Sequence, residues 1–168
     1  MLTIYDVTIP VMIRGLGILS SYLEKTAAHA TQAGIEPIEL IDARLAPDMM
    51  SLAAQVQRAS DASKGGAALL AGIASPRFAD VERTFDELQE RTRKTIVFLQ
   101  SIDPARLEGA ESRSFDLNFP GVRGVFRGDA YALQVLLPNF FFHLVTAHDI
   151  LRHQGLKIGK SDYFGPFP

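Results

Sequence analysis

The stretch Pro138–His153, PNFFFHLVTAHDILRH, carries three of the four histidines in this 168-residue chain. Its apolar residues recur at intervals of three and four, the period of an α-helix with one buried face. With the residues just before it, the stretch gives a predicted inward stripe of Leu133, Leu136, Phe140, Ala147 and Ile150. His143 falls on this stripe, whereas His148 and His153 fall off it. The stretch therefore predicts a core helix with one imidazole facing the protein interior.

The spacing of these histidines bears on metal binding. Successive imidazoles are five residues apart, so they point about 140° away from each other around a helix. A helix presents two ligands on one face when they are three or four residues apart, and the residue four after His143 is Ala147. We therefore expect no metal-binding pair on this helix, and we expect His148 and His153 to be exposed.

A buried imidazole needs partners for its two nitrogens. His143 is therefore predicted to be a hydrogen-bonded core histidine that uses Thr146, Asn139 or a residue on a facing helix. Ligand binding, metal binding and catalysis by His143 are the alternatives. Pro138 predicts a kink in the same helix, because it removes a backbone donor and frees the carbonyl of Gln134.

Working outward, three more segments show the helical period: residues 10–29, 49–70 after an N-cap at Asp48, and about 80–99 with Val81 on the inner face. The last helix runs from Gly128 to Gln154. Before it, residues 113–127 alternate apolar and polar side chains around Pro120-Gly121, which predicts a β-hairpin. The small residues ASDASKGGAA in the second helix indicate a close helix contact or an adjacent pocket. The sequence thus predicts an all-α fold, a four-helix bundle with a small β-hairpin insert before the last helix.

Composition limits the classes of function. The length fits one domain, which we predict to span residues 1–168, with the tail 156–168 packing on the surface or against a partner. A net charge of −2 without a basic stripe argues against nucleic acid. No apolar run reaches the roughly 18 residues that a membrane span needs, so no span is predicted. The start of the sequence lacks the pattern of a secretory signal. The chain has no cysteine. We expect a cytoplasmic protein.

Two groups of charged residues have structural and functional interpretations. Arg44 lies between Asp42 and Asp48, so it is predicted to form an ion pair that fixes the connector; binding of an anionic substrate is the alternative. On the third helix, acidic residues alternate with Arg83, Arg91, Arg93 and Lys94. That pattern predicts a solvated face with ion pairs.

Several motifs together resemble a bacterial family of unknown function within the DinB/YfiT-like superfamily of proposed metalloenzymes. The likeness covers nearly the whole chain. The motifs are Ile4-Tyr5-Asp6, the run LIDARLAPDM at 40–49, Gln55-Val56-Gln57 with Asp61 and Lys64-Gly65, LPNFFFH at 137–143, ILRH at 150–153, and Ile158-Gly159-Lys160.

The resemblance implies a DinB/YfiT-like four-helix bundle with up-down-down-up topology, a central cavity and a homodimer. In that superfamily one histidine of the second helix and two of the last bind a divalent metal, and some members use bacillithiol, mycothiol or glutathione. Here His143 matches one ligand, its partner position is Ala147, and the second helix offers Asp61 but no histidine; His29 is a further possible donor.

We therefore predict an uncharacterised DinB-like protein that binds a small molecule, forms a homodimer and has a degenerate metal site. The candidate ligand-binding residues are His143, Asn139, Arg44 and Asp61. No cofactor is expected; if a divalent metal is bound, His143 is its candidate ligand. The alternative is a metal- or thiol-dependent transferase or hydrolase that uses His143.

Overall fold

The structure, a computed structural model, describes residues 2–119 and 121–166. Its helices are α1 (Ile4–Ala33), α2 (Pro37–Ile41), α3 (Leu52–Ala71), α4 (Phe85–Gln100), α5 (Gly128–His153) and α6 (Lys160–Phe164). Two short 3-10 turns, Pro104–Leu107 and Ala110–Ser112, precede a hairpin of β1 (Ser114–Phe119) and β2 (Val122–Arg127). The predicted turn residue Pro120 and the last two residues of the tail lie outside the described residues. The fold is mostly helical, as predicted, but short helices accompany the four long ones.

Side-chain caps start α1 and α3. Thr3 forms a capping box with the first turn of α1, which satisfies backbone N–H groups left open at a helix start. Because this cap lies upstream of Pro10, α1 begins earlier than predicted and contains Pro10 in its interior. The cap of α3 is Ser51 and not the predicted Asp48, because residues 46–49 form a separate turn before it.

The start of α4 also differs from the prediction. Thr84 and Glu87 form a second capping box, so the helix begins after Thr84 and not near Asp80. Val81 therefore precedes the helix and is 72% exposed instead of lying on an inner face. The chain before Thr84 is left free to fold back toward α3, which becomes important for the charged residues described below.

α1 and α5 pack closely and run in the same direction. Gly15 faces the ring of Phe140, and further along both helices Tyr22 is hydrogen-bonded to His148. A Cβ atom at Gly15 would lie only 2.6 Å from the Phe140 ring. Glycine at this position therefore permits the close approach of the two helices.

α3 lies against the other side of α5 and runs in the opposite direction. Gln55, near the start of α3, contacts His143, whereas Gly66, near its end, faces Leu136. A Cβ atom at Gly66 would lie 2.2 Å from a methyl carbon of Leu136. The small residues of this helix therefore serve a close helix contact, the first of the two predicted alternatives.

α4 packs against α3 and α1. Near the start of α3, Gln57 donates to Glu82, which immediately precedes α4, and one turn along Ser60 contacts Thr95. α3 and α4 therefore run together, opposite to α1 and α5. This is the up-down-down-up arrangement that the resemblance implied, and the buried apolar side chains form one cluster between these helices.

The hairpin lies at the residues for which the alternation of apolar and polar side chains predicted it. β1 and β2 are antiparallel, with Phe115 opposite Phe126 and Leu117 opposite Gly124. Leu117 is buried, so the inner face of the hairpin packs on the helical core. After α5, the described part of the tail folds back: Ile158 is buried, and α6 packs on α1.

α5 is not regular throughout. It contains a π turn over Tyr131–Leu136, directly before the regular part Leu137–His153, which includes Pro138. The wider π turn lets the helix continue past a residue that cannot donate a hydrogen bond. It also shifts the helical phase, so Leu133 is 56% exposed and does not belong to the inward stripe as predicted.

Two helices, α1 and α5, are long and apolar enough to cross a membrane by length and composition alone. The sequence analysis predicted no such span. Both helices pack within the same hydrophobic cluster, and a core helix of a soluble protein passes the same test. Two such helices are therefore weak evidence for a membrane span.

The close contact at Gly66 can be tested by adding one methyl group. We expect Gly66→Ala to lower the free energy of unfolding by about 1–3 kcal/mol, because the new Cβ atom overlaps Leu136. The adjacent Gly65→Ala is the control, since nothing lies within 4 Å of its Cβ position. It should raise stability by about 0.5–1 kcal/mol through helix propensity. Urea denaturation measures both, and equal effects would contradict the packing argument.

Candidate functional site

His143 lies on α5 and faces α3. Its Nδ1 atom is 2.7 Å from the side-chain oxygen of Gln55, and the Gln55 amide nitrogen donates to the carbonyl of Met50 at 3.3 Å. An amide oxygen only accepts, so Nδ1 carries the proton and donates. In the neutral ring Nε2 is then an acceptor, and it has no hydrogen-bond partner in the part of the chain that the structure describes. The partner comes from a facing helix, one of the predicted possibilities, and not from Thr146 or Asn139.

The surroundings keep this imidazole neutral. Burial lowers the pKa of His143, and the nearby positive charge of Arg58 lowers it further, to about 4. Both causes disfavour the imidazolium form. At neutral pH His143 is therefore a fixed hydrogen-bonding group, a donor at Nδ1 and an acceptor at Nε2.

Beside Arg58 lies a group of charged side chains, which we call the ionic cluster. Its members are Arg58, Asp61, Lys64, Asp80, Glu82 and Arg91. At its centre the guanidinium of Arg91, with 1% of its side chain exposed, lies 2.8 Å from Asp61, 2.8 Å from Glu82 and 3.0 Å from Asp80. These contacts join α3, α4 and the connector between them.

The pKa of Glu82 is lowered although burial opposes this, because Arg91 and Gln57 donate hydrogen bonds to it.

The cluster corrects one prediction about α4. Glu90 and Arg93 do form an exposed ion pair, as the alternating charges indicated. Arg91, however, is buried on the inner face, and Glu82 is nearly so. The free segment before Thr84 folds back and supplies the carboxylates that allow a guanidinium to be buried.

Among the described residues, none of the other three predicted ligand-binding residues is hydrogen-bonded to the His143 ring. Asp61 is held by Arg58, Lys64 and Arg91 in the ionic cluster. Arg44 is exposed and donates to the carbonyl of Met49 at 3.1 Å, and no ion pair with Asp42 or Asp48 is seen in the part of the chain that the structure describes. Asn139 is exposed on α5, one turn before His143.

The remaining histidines lie at separate places. His148 was predicted to be exposed, but it is half-buried, with Nδ1 2.8 Å from the hydroxyl of Tyr22 and its ring against Tyr163. The returning tail covers it, and burial lowers its pKa. His153 is exposed as predicted, and His29 lies beside Gly155, beyond the end of α5. Periodicity within α5 could not reveal the cover that the tail provides.

These positions do not fit a metal held by three imidazoles. One turn after His143 stands Ala147, whose fully buried methyl group offers no donor atom. On α3 the facing side chain is an amide, and it already accepts the Nδ1 proton of His143. Among residues 2–119 and 121–166, no group of three or more His, Cys, Asp or Glu side chains is arranged to hold a metal ion.

Residues 4–164 match the model of DUF1993, a domain of unknown function. The chain belongs to the DUF1993 family. It is also similar to a solved structure described as a DinB family member protein from Shewanella denitrificans. The two chains are 32% identical with a TM-score of 0.90, over 98% of this chain and 93% of that one. No curated protein sequence matches the chain.

The family and this neighbour confirm the resemblance stated above. The chain is a member of the DinB-like superfamily, in a family of unknown function. Its fold agrees with that of the neighbour over nearly the whole length of both chains. The site chemistry must be argued from the side chains themselves, because one fold can host several functions.

The ionic cluster gives a stability prediction. We expect Arg91→Leu to lower the free energy of unfolding by about 3 kcal/mol or more, because it removes the cation that pairs with the nearly buried Glu82 and one of the cations that pair with Asp61 and Asp80. The control is Arg93→Leu, which removes a side chain that is 63% exposed, and it should have a much smaller effect. Chemical denaturation measures both variants. Equal losses would show that the cluster does not hold the connector in place.

The neutral state of His143 gives a pH prediction. Its folded pKa of about 4 is below the ordinary value of 6.5, so the unfolded chain binds more protons between these values. Its contribution to stability is therefore fully present above about pH 6.5 and is lost as the pH falls toward about 4. We expect His143→Gln to make the free energy of unfolding less dependent on pH in this window.

The matched control for that experiment is His153→Gln, because His153 is exposed on the same helix. Its pH profile should follow the wild type. Denaturation at several pH values between about 4 and 7 separates the two variants. An unchanged pH profile in His143→Gln would mean that the imidazole is not held neutral by its surroundings.

Proposed function

We propose that this DUF1993 protein binds a small molecule beside His143 and acts as a homodimer of DinB-type four-helix bundles. The observation that best supports this proposal is the hydrogen bond of 2.7 Å between His143 and Gln55. This bond joins Nδ1 of His143 on α5 to the side-chain oxygen of Gln55 on α3. We infer that a polar pair takes the place of a metal centre, so that the metal site is degenerate.

The chemistry around His143 supports a particular kind of ligand. Nε2 offers an acceptor, and one turn along α3 from Gln55 the Nε donor of Arg58 is buried without an acceptor among the described residues. Unsatisfied buried donors are uncommon and mark positions where a ligand atom or a water fits. A small polar molecule with one hydrogen-bond donor and one anionic oxygen would satisfy both groups.

The outward face of α5 supports the homodimer. Phe142 and Val145 are three residues apart, so they share one face of the helix, and they are 58% and 39% exposed. The Phe142 ring also stands edge-on to the imidazole of His143, with ring centres 5.3 Å apart. A second copy on this face would cover both apolar side chains. We further propose that the protein is cytoplasmic.

The metal- or thiol-dependent enzyme remains the alternative proposal, but nothing specific favours it. It requires a second ligand near His143 from His29, Asp61 or Asn139. His29 lies beside Gly155, and Asp61 forms ion pairs with three positively charged side chains. The donor set around His143 therefore supports hydrogen-bonded recognition better than metal coordination.

Protein purified without a histidine tag tests this proposal. We expect less than one divalent ion per chain by elemental mass spectrometry, and a dimer by light scattering. Small organic acids that raise the melting temperature of the wild type should lose that effect in His143→Ala and keep it in His153→Ala. One tightly held divalent ion per chain, absent from His143→Ala, would contradict the proposal and favour the enzyme.

A further inference from the structure

A large groove lies near the start of α1, away from His143. It is bounded by the first turn of α1, the segment from Pro104 to Glu111, and the π turn of α5. Its volume is about 770 Å³, larger than that of the pocket beside the ionic cluster. Two apolar side chains that line it, Leu2 and Leu133, are 78% and 56% exposed. Exposed apolar surface inside a concave site favours an occupant with an apolar body.

The π turn contributes to this groove. In a regular helix Leu133 and Leu136 would share the inward stripe, but the π turn separates them and leaves only Leu136 buried. π turns are rare and occur frequently at functional sites. The departure from regular helix therefore moves an apolar side chain from the core to the wall of the groove.

The charged side chains that line the groove among the described residues are all acidic. Asp6, Glu108, Glu111 and Asp129 line it, and no Lys, Arg or His side chain does so among the described residues. Asp6 is engaged in the capping box of α1, and Asp129 pairs with Arg127 at 3.1 Å. The carboxylates of Glu108 and Glu111 have no hydrogen-bond or ion-pair partner in the described part of the chain. Two charges are thus left available to a ligand.

We propose that this groove binds a small organic cation, a primary ammonium group attached to an aliphatic or aromatic body. The ammonium group donates to the carboxylates of Glu108 and Glu111, and the apolar body covers Leu2 and Leu133. A purely polar cation would leave the leucines exposed, and an anion would be repelled by the rim. The proposal is independent of the function assigned to His143.

Titration calorimetry of the full chain with butyl-, hexyl- and octylammonium tests the proposal. We expect affinity to rise about threefold to fourfold for each added methylene group, as burial of the body predicts. Octanoate and octanol, which match the body but lack the positive charge, should bind much more weakly. Octanoate binding as tightly as octylammonium would overturn the proposal.

Matched variants locate the binding site. Glu108→Gln with Glu111→Gln should weaken octylammonium binding by about fivefold to tenfold, because two charge-assisted hydrogen bonds become neutral ones. Glu36→Gln with Glu39→Gln removes the same charge from α2 and should leave binding unchanged. All four side chains are exposed, so folding is not at risk. Equal effects of the two pairs would overturn the proposal.

The apolar wall has its own control. Leu133→Ala should weaken octylammonium binding by about threefold or more, because less apolar surface is covered. Val97→Ala, at a position on α4 that is 51% exposed, should not change it. If octylammonium fails to bind and Leu133→Ala changes the molecular mass in solution, the groove is an interface between copies and the proposal is wrong.

Discussion

The close approach of α5 to both α1 and α3 is the constraint on which the candidate site depends. At Gly15 and Gly66 the backbone of a neighbouring helix lies directly against a large side chain of α5, with no room for even a methyl group. This approach brings the His143 ring within hydrogen-bond distance of Gln55. A helix separation set by larger side chains would leave the imidazole and the amide apart. Packing at two glycines therefore determines the geometry of polar groups elsewhere on the same helices.

Pro138 disturbs the regular geometry of the same helix, α5. A proline inside a helix removes one hydrogen bond and crowds the preceding turn. Here the π turn before Pro138 absorbs that irregularity, and its consequence is a change of phase. Phe140, Ala147 and Ile150 after Pro138 are buried as the stripe predicted, whereas Leu133 within the π turn is exposed. One irregularity thus separates α5 into a part that builds the polar site and a part that lines the acidic groove.

Local patterns predicted the parts of the structure that depend on local interactions. The period of three and four predicted that His143 faces a neighbouring helix, where it is partly buried, and the alternation around β1 and β2 identified the hairpin. What the patterns missed depends on distant segments. Arg91 is buried because the connector returns with two carboxylates, and His148 is half-buried because the tail covers it. Leu133 was misplaced because a π turn has no clear signature in the spacing of apolar residues.

The helix starts show the same limit at a smaller scale. Asp48 was a reasonable cap by residue type, and α4 was expected to start near Asp80, since Asp side chains accept from the backbone donors of a helix start. Ser51 and Thr84 act instead, because Asp80 is drawn into the ionic cluster and a separate turn encloses Asp48. Residue type alone therefore cannot choose between neighbouring capping residues when one of them has a stronger ionic partner elsewhere.

In this chain the chemistry near His143 depends on very few atoms. A TM-score of 0.90 to a DinB family member describes the helices, not the donor atoms between them. At Ala147 a methyl group stands one turn from His143, and at Gln55 an amide faces the ring. An amide oxygen that receives the Nδ1 proton fixes the ring orientation and keeps it a neutral acceptor, whereas a metal would require that ring to share its ion with other donors. The pair at Gln55 and His143 therefore supports the proposal of recognition by hydrogen bonds on a DinB-like backbone.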